Sequence, residues 1–66
     1  MKTKITKGQS FINIENNEIE LNILNVDTIG YALVERTFWV YGEKGILTHL
    51  LNVKEIETDY KLNTLK

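Results

Sequence analysis

Cysteine is absent from this chain, and that excludes both disulfides and thiolate metal sites. A single histidine, His49, excludes a cluster of imidazoles. No stretch approaches the apolar length of a signal peptide or a membrane span, so a soluble, cytoplasmic protein is expected. Arginine is represented by Arg36 alone, and eight basic residues nearly cancel nine acidic ones. No global field draws in nucleic acid or an anionic membrane. Glycine-rich phosphate loops, zinc spacings and calcium loops are missing too. A catalyst needs a nucleophile with a base, a carboxylate pair in a pocket, or a metal. The sequence offers none of these, so no enzymatic activity, metal or cofactor is expected.

What remains is a chain of 66 residues, read as one domain over residues 1–66 and near the lower limit for independent folding. A domain of this size buries only about 60% of the surface its unfolded chain exposes. Without disulfide or metal, strand packing or self-association must make up the difference.

The strongest organising stretch is Thr37-Phe38-Trp39-Val40-Tyr41-Gly42-Glu43-Lys44-Gly45-Ile46-Leu47-Thr48-His49-Leu50-Leu51. Two runs of aromatic, β-branched and aliphatic residues flank a polar turn bounded by glycines, the pattern of a β-hairpin. With Glu43-Lys44 at the tip, Tyr41 pairs with Ile46, Val40 with Leu47, Trp39 with Thr48 and Phe38 with His49. One face then carries Phe38, Val40, Leu47 and Leu51, the better candidate for the core. The other carries Trp39, Tyr41, Ile46 and Leu50. Both faces are apolar, and a homo-oligomer is the expected way to cover them.

Residues 18–24 show the clearest amphipathic strand, with Ile19, Leu21 and Ile23 on one side and Glu18, Glu20 and Asn22 on the other. Glu15-Asn16-Asn17 before it and Asn25-Val26-Asp27 after it have turn chemistry. Residues 2–6 alternate weakly and suit a lysine-guarded edge strand. From Ile29 to Tyr41 only Glu35-Arg36-Thr37 interrupts the apolar character, and these lack turn residues, so one long strand is favoured. Asn52-Val53-Lys54-Glu55 fits a helix N-cap, although alternation through Tyr60 fits a strand equally well. The expected fold is all-β: a small antiparallel barrel or half-barrel of five or six strands, with a short helix after Leu51 leading to a final strand. The alternative is an α+β domain with that helix packed on the sheet.

Two functional classes follow. The first is a non-enzymatic protein-binding or regulatory module, contacting another protein through Trp39, Tyr41 and Tyr31. Aromatic side chains with a polar tip are enriched at such interfaces. Its small, motif-free, Lys- and Asn-rich chain is of the kind used by mobile-element or viral accessory proteins that bind and inhibit a host protein. The second is a small β-barrel regulator that binds RNA or single-stranded DNA. Trp39, Tyr41, Tyr31 and Phe11 would stack on bases, and Lys2, Lys4, Lys7, Arg36 and Lys44 would hold phosphates. The near-neutral charge and the single arginine rank it second.

Thr6-Lys7-Gly8-Gln9-Ser10-Phe11-Ile12-Asn13-Ile14, followed by Glu18-Ile19-Glu20-Leu21-Asn22-Ile23-Leu24-Asn25-Val26, resembles the first half of the carbon storage regulator family. Those proteins are small β-rich dimers that bind RNA. Lys7 stands where that family's first arginine would be. No arginine follows Arg36, where the family has a His-Arg-x-Glu-Ile-type segment. The likeness spans under half the chain and rests on generic strand and turn residues, so membership is not inferred.

Overall fold

The computed structural model describes residues 4–63, and Lys2 lies outside the described residues. The chain first forms strands β1 (Ser10–Asn13), β2 (Glu20–Val26), β3 (Tyr31–Val40) and β4 (Glu43–Asn52). Alternation of Leu21 and Ile23 with polar neighbours gives β2, and runs rich in β-branched, aromatic and aliphatic residues give the other three. A short helix, α1 (Val53–Asp59), then leads into β5 (Tyr60–Leu62). The five strands form one antiparallel sheet in the order β4-β3-β2-β1-β5. The protein is therefore mostly sheet, with one short helix near its C-terminus. Of the barrel or half-barrel expected, the closed form is not adopted: β4 and β5 stand at opposite borders of an open sheet.

Side-chain oxygens organise the first reversals. Asn13 Oδ1 accepts from the amides of Glu15 and Asn16 at 2.9 and 3.0 Å, and Asn16 Oδ1 accepts from Glu18 N at 3.0 Å. This is the turn expected at Glu15-Asn16-Asn17. The next turn falls later than its sequence signal. Asn25 and Val26 stay in β2, while Asp27 Oδ1 accepts from Ile29 N and Tyr31 N, each at 2.9 Å. Gly30, at φ +96°, supplies the left-handed residue that completes the reversal. A bulge at Leu24 shifts the β2–β3 register between Ile23 and Asn25. The extra residue turns Val26 back to the side of Leu21 and Ile23, where it packs against the core.

The long strand through Glu35-Arg36-Thr37 is continuous, as its lack of turn residues implied. Its hairpin is tighter than the glycine spacing indicated. Val40 pairs with Glu43, leaving Tyr41-Gly42 as a two-residue loop at φ +52° and +79°. Positive φ at both central positions is the type I′ geometry that matches strand twist. A tip at Glu43-Lys44 would have placed two side-chain-bearing residues there instead of one. Phe38 consequently faces Gly45, Trp39 faces Lys44 and Val34 faces His49. Each strand residue meets a partner four positions earlier than expected. Four is even, so the two faces keep the strand residues assigned to them.

The core lies on one face, where Phe11, Leu21, Ile23, Ala32 and Val34 are buried beneath Ile56 of α1 and Ile5. Asn52 caps the helix: its backbone is extended and its Oδ1 accepts from Lys54 N at 2.8 Å. Helix, not strand, follows Leu51 because that cap is made and because Ile56 completes the core. Described residues 4–6 form no edge strand. Instead Ile5 is buried, and Gly8 N donates to Ile23 O at 2.9 Å. Among the described residues, no helix is long and apolar enough to cross a membrane.

Candidate interaction surface

β2 stops pairing with β3 at the Glu20–Thr37 rung, whereas β3 and β4 continue pairing to the turn. Residues 38–45 therefore project past the rest of the sheet as a two-stranded ribbon. Among the described residues no third strand pairs with this ribbon, and its apolar side chains stand largely in water. Trp39 is 50% exposed, Val40 and Leu47 about as much, and Tyr41 at the tip fully. The expected core face of Phe38, Val40, Leu47 and Leu51 is thus corrected. Leu51 packs on the core, but Val40, beyond the last rung of β2, and Leu47, on border strand β4, are exposed. Phe38 stays half-buried by lying across Gly45, where a Cβ would come within 2.5 Å of its Cε2 atom. The glycine is what gives the ring its seat.

Trp39, Tyr41 and Gly42 line one depression together with Glu18. An adjoining groove on the same face runs past Trp39, Thr37 and Lys44 to Glu18, Glu20 and Asn63. Its floor is organised: the Glu20 carboxylate accepts from Ser10 Oγ at 2.7 Å and from Asn63 Nδ2 at 3.1 Å. These bonds tie β1, β2 and the residue after β5 into one polar patch. An indole and a phenol beside two carboxylates suit a cationic or amphipathic side chain, which gains from the ring faces and from the acids.

Tyr31 shares Trp39's side of β3 but lies eight residues away, about 27 Å along an extended strand. It belongs with exposed Leu33 and Leu50 at the other end, so the three aromatic candidates divide into two places. The basic candidates are also dispersed. Lys4 and Lys7 are exposed on the segment before β1, and Lys44 lies on the Trp39 face. Arg36 lies half-buried on the opposite face, across from Leu21 and Leu47. Phe11 is 2% exposed, which removes it as a stacking platform. His49 lies opposite Val34, with Nδ1 3.3 Å from Leu50 O and Nε2 buried without a hydrogen-bond partner. Glu18 was missed as a site residue because its position beside Trp39 depends on the β2–β3 register, which no local pattern states.

No family model matches the chain, and comparison with curated proteins and with solved structures likewise finds no match.

Proposed function

We propose that this protein is a non-enzymatic binding module that engages, and by occupying inhibits, another protein. The contact is made by Trp39 and Tyr41 at the ribbon, with Glu18 beside them to receive a basic side chain. The observation that carries this reading is the ribbon itself. It holds an aromatic pair half or wholly in water, beyond the reach of the core, which a small domain gains nothing by exposing. Tyr31, with Leu33 and Leu50, forms a second apolar patch outside this contact.

Trp39→Ala tests the reading. A buried interface tryptophan often contributes 2 kcal/mol or more on truncation, about thirtyfold in affinity, whereas the same change in a core costs about 3–5 kcal/mol of stability. Expected is a melting point near that of the parent together with loss of the partner in affinity purification followed by mass spectrometry. A variant that unfolds would assign Trp39 to the core. A folded variant that retains the partner would move the contact elsewhere. Submicromolar binding to single-stranded oligonucleotides that weakens steeply with salt would replace the protein partner by nucleic acid.

A further inference from the structure

β4 borders the sheet, and among the described residues only β3 pairs with it. In an antiparallel ladder, successive residues bond alternately to one side and to the other. The two-residue turn closes on the hydrogen-bonded Val40–Glu43 pair, so Glu43, Gly45, Leu47, His49 and Leu51 bond inward to β3. Gly30 O, which accepts from Val53 N at 2.9 Å, continues that phase at the other end. The backbone groups of Lys44, Ile46, Thr48, Leu50 and Asn52 therefore point outward from the border. Leu50 O meets the His49 ring there at 3.3 Å and keeps a second lone pair.

Sheet borders are ordinarily guarded by charge, proline or a bulge. Gly45-Ile46-Leu47-Thr48-His49-Leu50-Leu51 contains no lysine, acid or proline, and its register with β3 is unbroken. The segment is also close to self-complementary. We infer that β4 pairs antiparallel with β4 of a second copy, about a twofold axis at Thr48. Thr48 then faces Thr48 of the second copy, a favourable cross-strand pair, and Ile46 faces Leu50 on both sides of the axis. Lys44 meets Asn52. On the opposite face Leu47 meets His49, and Leu51 meets Gly45, over which the Phe38 ring lies. All five outward residues find hydrogen-bonding partners in this register. Centring the axis on Leu47 would set Lys44 against Leu50, and centring it on His49 would leave Lys44 unpaired. The result is one ten-stranded sheet with the two ribbons at opposite ends, so Trp39 is remote from the axis.

Sedimentation equilibrium of the full chain is expected to show twice the 7.7 kDa monomer mass. Thr48→Lys and Thr48→Glu each set like charges face to face and are expected to weaken association about tenfold or more. Mixed in equal amounts, the two variants are expected to recover the parent's association as a heterodimer. Amides of Lys44, Ile46, Thr48 and Leu50 should gain exchange protection as concentration rises. A 7.7 kDa species persisting at high concentration overturns the inference. So does a dimer unaffected by either substitution whose four amides exchange freely, which would be packed face to face. Trp39→Ala should leave the dimer intact, so failure here is distinguishable from failure of the binding reading.

Discussion

Ile56→Ala is expected to remove most of the protein's stability in water at room temperature. Ile56 is fully enclosed and is the one buried residue of α1, so with half-buried Val53 beside it this side chain docks the helix onto the sheet. Truncating a buried isoleucine to alanine costs about 2–5 kcal/mol, through lost transfer energy and the cavity left behind. Domains have only about 5–15 kcal/mol in total, and one this small belongs near the bottom of that range. The loss is compounded because α1 carries the chain from β4 at one border to β5 at the other. Urea titration followed by far-UV circular dichroism measures the effect. Glu55→Ala, on the exposed side of the same helix, should stay within about 0.5 kcal/mol of the parent. Equal midpoints for the two variants would mean that the helix contributes little to the core.

A comparable loss is expected from Phe11→Ala. Phe11 sits in the four-residue β1, opposite Leu21 on one side and Leu62 on the other, and is only 2% exposed. Removing a buried phenylalanine ring costs about 3–5 kcal/mol. For a domain of this size, each kcal/mol shifts the melting temperature by about 4–8 °C, so a fall of at least about 12 °C is expected. Phe11→Leu refills most of the space and should lose much less. The measurement also separates two roles for the aromatic residues. A phenylalanine held out to stack on nucleic acid would leave the melting point where it was.

How far the sequence revealed this fold depended on whether a signal was local. The Leu21 and Ile23 side of β2 follows from alternation alone, and both side chains are buried. Asn52 as a cap follows from its place before Val53 and from Glu55 three residues on. The hairpin register was less legible because Gly42 and Gly45 bracket Glu43-Lys44 symmetrically and imitate a turn. What decides it is that one glycine suffices for a type I′ loop when Tyr41 accepts the left-handed conformation. Whether the sheet closes into a barrel or stays open was not legible for a related reason. The crossover through α1 delivers β5 beside β1 and not beside β4, and no residue pattern within β4 or β5 specifies that choice. At the candidate site, Trp39 and Tyr41 could be picked out as neighbours along the chain. Their separation from Tyr31 and their proximity to Glu18 required the register between strands.

The ribbon also determines what light reports about this molecule. Trp39 is the only tryptophan, and it stands on the ribbon half in water, away from Leu21, Val34 and Ile56. Its emission therefore follows the fraying of one hairpin end, while far-UV circular dichroism follows the whole sheet. Denaturation curves from the two probes are expected to separate, with fluorescence changing at lower urea, because a ribbon with few buried contacts opens before the core. Coincident curves would mean that the ribbon melts with the sheet as one cooperative unit. Until the two are compared, a stability read from tryptophan emission alone describes the hairpin end and not the domain.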